Sequence, residues 1–197
     1  MKLTAKILRY TAFTIMTLFG VVGGLFVAGY AFEDLDTWVA IGSTAAWLVP
    51  TLVLSVFALR RPDAAAPVLV VLAVLAALVT VLDAAFTVVD VDAVGPVMAI
   101  AVFATAVALG FLGLHREALS GLLLILLAVA QLGATVLSRA GDVGEPGGPG
   151  ITDLLTTSSG VIVVPMALVG ALYLVAGALD HEPHGARHLP SSARVAH

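Results

Sequence analysis

The chain has 197 residues, of which 60% are hydrophobic and 11% charged, and its mean hydropathy is +1.11; a soluble domain carries about 25% charged residues. So much apolar surface cannot be hidden in water by a fold of this size, so lipid is the expected solvent for most of it. The absence of cysteine excludes disulfides, thiolate nucleophiles and zinc-thiolate or cysteine-held iron–sulfur sites, and a net charge of -4 without a basic stripe excludes nucleic acid as a partner.

Six apolar runs follow one another. The first, residues 10–32, comes after Lys2, Lys6 and Arg9, and it is longer than the roughly 7–15 residues of a signal-peptide apolar region, so a retained span is expected. The second, 38–59, contains Pro50 and stops at Arg60-Arg61-Pro62-Asp63. The third, 67–89, and the fourth, 96–114, each open on a proline, read as a first-turn residue whose missing N–H costs nothing there. His115-Arg116-Glu117 makes a tight connection to the fifth run, 118–138. After the Gly-, Pro- and acid-rich stretch that follows Arg139, the sixth run covers 160–179 and contains Pro165.

Each run has the roughly 20 residues that cross a 30 Å hydrocarbon core as a helix. None shows the apolar–polar alternation of a barrel strand. The fold expected is all-α: a polytopic transmembrane helix bundle over residues 1–180, arranged as three successive hairpins. Demoting the Pro165 run would give five spans. The polar tail 181–197 is expected to be disordered, with Pro183 and Pro190 preventing a long helix.

Lys2, Lys6, Arg9, Arg60, Arg61, Arg116, Arg187 and Arg194 share one side in a six-span arrangement and leave Arg139 alone on the other. The positive-inside rule then places both termini in the cytoplasm. Tyr10, Tyr30 and Trp38 fall near span ends, where aromatic rings prefer the headgroup region. The Ala, Val, Leu and Gly richness with two lysines suits a high-GC bacterial genome, so a bacterial cell membrane is the expected location.

Asp83 is the acidic residue placed well inside a span, at a cost of about 2.5–3.5 kcal/mol for a helix-centre position. Thr80, Asp83, Thr87 and Asp90 share one helical face and form a polar stripe toward the outer surface. That stripe suits a cation or proton site; a packing role, with Asp83 hydrogen-bonded to Thr80, Gln131 or a backbone carbonyl, suits it too. Glu33, Asp34, Asp36, Asp90, Asp92, Asp142, Glu145 and Asp153 make the outer side acidic, as exclusion of basic residues alone would do. His181, His184 and His188 lie beside Asp180 and Glu182, but Pro183 and Gly185 break the helix that would align them for a metal. Pro50 and Pro165 are expected to kink or loosen their helices. Gly20, Gly24 and Ala28 form a small-residue ridge that predicts a close helix partner for the first span.

No G-x-S-x-G, phosphate loop or H-E-x-x-H motif occurs, and no catalytic residue, cofactor or metal site is assigned. Sequence therefore favours a non-catalytic accessory or interaction subunit, surrounded by lipid and partnered by other membrane proteins or by its own copies. A small cation- or proton-linked transporter or channel using Asp83 is the alternative. The two differ in what faces Asp83: polar groups from another helix for ion binding, local satisfaction for a scaffold.

Overall fold

The computed structural model describes residues 2–34, 36–86, 91–138 and 158–180, with side chains described except at 2, 26–34, 43, 91–99 and 158–161. Within that range the protein is all-helical, with α1 Lys2–Asp34, α2 Thr37–Arg60, α3 Pro62–Phe86, α4 Val91–Leu112, α5 Glu117–Ser138 and α6 Ser158–Asp180. Five of these, all but α4, contain described stretches long and apolar enough to cross a membrane, and α4 contributes the shorter apolar stretch Ile100–Leu112.

Helix ends depart from the apolar runs for physical reasons. α3 begins at Pro62 and not at Pro67. Arg61 leaves the helical region, with φ −139° and ψ 65°, as a residue before proline tends to do, and its N–H still donates to Phe57 O at 2.9 Å. Pro62 thereby takes the first helical position, and Pro67 sits inside the helix. Its missing N–H leaves the carbonyl of Asp63, an exposed residue at the end of the bundle, where water can satisfy it. Likewise α4 starts at Val91, upstream of Pro96. Pro50 and Pro165 interrupt neither α2 nor α6, both of which run through them as continuous helices.

Ion pairs show that the helices alternate in direction. Arg9 near the start of α1 meets Glu117 at the start of α5 and Asp180 at the end of α6, while Arg116 meets Asp63 at the start of α3. Lys6, Arg9, Arg60, Arg61 and Arg116 thus collect at one end of the bundle, called the basic end below.

Three side-by-side hairpins do not describe the packing. α1, α2, α3, α5 and α6 form a closed ring, with α1 against α2 and α6, α3 against α2 and α5, and α5 against α6. α4 fills the centre, in contact with α1, α2, α3 and α5 and bonded to α6 through Tyr173. Residues 102–110 of α4 are buried without a break, whereas the large exposed apolar side chains, such as Leu25, Val53, Leu75, Val129 and Leu168, come from the ring. A helix that is apolar on every side is stable only when surrounded on every side. The ring supplies protein for α4, and its own outer face is apolar, as a membrane-spanning bundle requires.

Close packing depends on notches matched to rings. A Cβ on Gly24 would lie 2.0 Å from the Trp47 ring, and one on Gly23 2.6 Å from Phe103. Trp47 and Phe103 in turn pack with ring centroids 5.6 Å apart. Gly20 faces Val107 of α4 at 3.3 Å. The Gly20 and Gly24 ridge thus receives side chains of α4 and α2 rather than a neighbouring backbone, and Ala28 lies outside the described side chains. Backbone-to-backbone approach occurs instead between α5 and α6, where a Cβ on Gly121 would stand 2.7 Å from the carbonyl oxygen of Gly170.

Candidate functional site

Toward the end opposite the basic one, α3 and α5 separate around a cavity of about 300 Å³. α3 contributes Thr80 and Asp83, both half-buried, and α5 contributes Gln131, Thr135 and Ser138. Val79 of α3, Val102 of α4 and the small residues Ala84 and Ala134 line the rest. The i, i+3 and i, i+4 spacings place each set on one helical face, and the parallel pairing of α3 and α5, both of which start at the basic end, brings the two faces together at the same depth.

Gln131 Nε2 donates to Thr80 Oγ1 at 3.3 Å, joining the helices across the cavity. Thr135 Oγ1 donates to the carbonyl of Gln131 at 2.8 Å, and Ser138 Oγ to that of Thr135 at 3.1 Å. These back-bonds occupy the hydroxyl protons and leave the oxygen lone pairs available as acceptors. One carboxylate with several neutral oxygens is a donor set for a hard cation or a proton. Asp83 and Thr80 therefore share the site with α5 groups; Thr87 and Asp90, which complete the stripe in sequence, lie outside the described residues.

Toward the basic end the same interface closes. Ala73, Ala76 and Ala77 of α3 and Leu124, Leu127 and Ala128 of α5 are buried there. No polar pathway joins the two ends among the described residues.

At the basic end, Arg9 contacts the carboxylate of Glu117 and that of Asp180, the latter at 2.7 Å, so one guanidinium ties α1, α5 and α6. Glu117 retains 9% side-chain exposure and Arg9 27%, and Arg9 Nε is buried with no hydrogen-bond partner among the described residues. The α4–α5 turn is stitched beside it: Arg116 N–H donates to Leu112 O at 2.9 Å, and Ser120 Oγ donates to Leu109 O. Tyr173 lies fully buried over Gly113 and donates to Gly110 O at 2.5 Å.

Sequence reasoning used Arg9 for orientation and Glu117 as a turn residue, and passed over Tyr173, Trp47 and the Gly121–Gly170 crossing. A tyrosine about eleven ångströms inside a span, seven residues from Asp180, was a usable signal, because its hydroxyl needs a partner when buried. The partnership of Arg9 with Glu117 and Asp180 required knowing which helices are neighbours. His181, His184, His188 and Glu182, and the acidic residues Glu33, Asp34, Asp92, Asp142, Glu145 and Asp153, fall outside the described side chains. Asp36 is described; it precedes α2 without a side-chain capping bond. Among the described residues no group of three His, Asp or Glu side chains converges as a metal site would require.

No protein-family model, curated protein or solved structure matches the chain.

Proposed function

We propose that the chain is a six-span, non-catalytic subunit of the cytoplasmic membrane of a bacterium, as its composition suggests, with both termini inside and with Asp83 as a proton- or cation-responsive group reached from the outer side. The carrying observation is that Asp83 and Thr80 share one cavity with Gln131, Thr135 and Ser138 of another helix. A carboxylate is costly in the bilayer and is retained where it binds or pairs. The closed apolar packing toward the basic end supports a binding site without a conducting path, and so an ion-responsive accessory or interaction subunit ahead of a channel. The transporter reading draws on the same cavity and adds the requirement that α3 and α5 part toward the basic end. Collection of the basic residues at one end supports the orientation.

The test compares wild type with Asp83→Asn for thermal stability across pH and across added monovalent and divalent cations. Wild-type stability should respond to proton or cation concentration and Asp83→Asn should lose the response while keeping the fold. A wild type indifferent to both would remove the ion reading. Cation flux into vesicles, present in wild type and absent in Asp83→Asn, would decide for the transporter. Reporter fusions after Asp63 and His197 should both report cytoplasm, and an outside signal at His197 would defeat the even number of spans.

A further inference from the structure

A second cavity, about 380 Å³, runs between α1 and α2 and is floored by Val107 and Phe111 of α4. Its walls are apolar apart from hydroxyls, and two of these are buried without a hydrogen-bond partner among the described residues: Ser55 Oγ and Thr44 Oγ1. Ser55 is only 5% exposed. Its neighbour Thr51 shows the usual solution for a helix hydroxyl in an apolar setting, donating to Trp47 O at 2.8 Å. An unpaired buried hydroxyl costs on the order of 1–3 kcal/mol, and an oxygen acceptor in the groove would remove that cost.

The groove is too narrow for a helix, whose diameter with side chains is about 10 Å, because α1 and α2 already touch where Trp47 seats on Gly24. A flexible chain fits the space between them. Beyond the ridge made by Leu52, which lines both spaces, a shallower apolar groove formed by Val53, Val56 and Phe57 ends at Arg60 and Arg61. These two arginines are exposed and take part in no ion pair among the described residues. Ser55 lies five residues from Arg60, about 7.5 Å along the axis. That is the depth at which ester oxygens hang beneath a phosphate held at the arginines.

We propose that this face of α2 binds one anionic diacyl phospholipid. One acyl chain occupies the α1–α2 groove and the other lies across Leu52 in the shallower groove. An ester oxygen accepts from Ser55 Oγ, and Arg60 and Arg61 meet the phosphate. The assignment rests on the chain spanning a bilayer and is independent of Asp83.

Trp47 lines the groove and is 7% exposed, whereas Trp38, the other tryptophan, is 83% exposed. In a Trp38→Phe background, Trp47 fluorescence reports contact with brominated acyl chains. The full chain is reconstituted into mixed phosphatidylglycerol and phosphatidylcholine vesicles with bromine on one lipid or the other at equal mole fraction. Brominated phosphatidylglycerol should quench Trp47 at least about twofold more strongly than brominated phosphatidylcholine. The preference should vanish in Arg60→Gln/Arg61→Gln, whereas Ser55→Ala, whose ester-oxygen partner both lipids carry, should weaken quenching by both. Equal quenching by the two lipids would reduce the groove to ordinary lipid contact and overturn the assignment. Absence of quenching would overturn it in favour of a groove covered by a second copy or another protein. Failure of the chain to float with the vesicles would overturn the membrane reading as well.

Discussion

Arg9→Gln removes the cation on which α1, α5 and α6 converge. Glu117 is nearly sealed and loses its counterion, while Asp180, 35% exposed on its side chain, can turn to water. Breaking one partner out of a fully buried pair costs about 3–5 kcal/mol. Arg9 and Asp180 are partly solvated, so the cost here is discounted to about 2–3 kcal/mol. Glu117→Gln leaves Arg9 with Asp180 and retains an amide oxygen at the same reach, so about 1 kcal/mol is expected. Asp180→Asn touches only the exposed arm and should cost less than about 1 kcal/mol.

Equilibrium unfolding in mixed micelles of a mild detergent and dodecyl sulfate measures the series. The decisive variant is Arg9→Gln/Glu117→Gln. With no sealed carboxylate left without its cation, it should be more stable than Arg9→Gln alone. A double variant whose loss equals the sum of the two single losses would refute the view that the ion pair, and not two separate side-chain packings, holds these helices.

Gly121→Ala and Gly170→Ala should each destabilise by about 1–3 kcal/mol in the same assay, because each Cβ meets the other helix's backbone. Gly42→Ala and Gly133→Ala, which point into open space, should instead be neutral or stabilising by up to about 1 kcal/mol. Tyr173→Phe should cost about 0.6 kcal/mol, the typical worth of an interhelical hydrogen bond in a membrane bundle. Gly24→Ala should displace the Trp47 ring and shift its emission in the Trp38→Phe background; an unchanged spectrum would mean that the ring does not seat on Gly24.

The six helices of the described residues were legible because continuous apolar runs of this length have one structural solution in lipid, a helix with its backbone bonds satisfied internally. Their ends were less legible. Hydropathy marks where apolar character begins, whereas the first turn of α3 is set by Arg61-Pro62, five residues before Pro67. The central place of α4 was hidden because lipid and protein interiors are equally apolar, so Leu and Val satisfy either. The alternation of Ala101, Ala104, Ala106, Ala108 and Gly110 was the available hint, since small side chains allow neighbours to approach from several directions. Around Asp83, the Thr80 side of the site followed from helical periodicity. Gln131 is a partner the sequence suggests, whereas Thr135 and Ser138 join the site only through the pairing of α3 with α5.

The central position of α4 has a consequence for biogenesis. In the proposed membrane arrangement, α1, α2 and α3 enter the bilayer before the helix around which they close, so the faces of Met16, Trp47 and Leu69 that end up sealed would first be covered by lipid or an insertion factor. Once α4 arrives, α5 and α6 complete the enclosure and Arg9, made among the first residues, finally finds Asp180. A chain halted after α3 would carry an unfilled interior and an Arg9 without Glu117 and Asp180, the two carboxylates that only α5 and α6 supply.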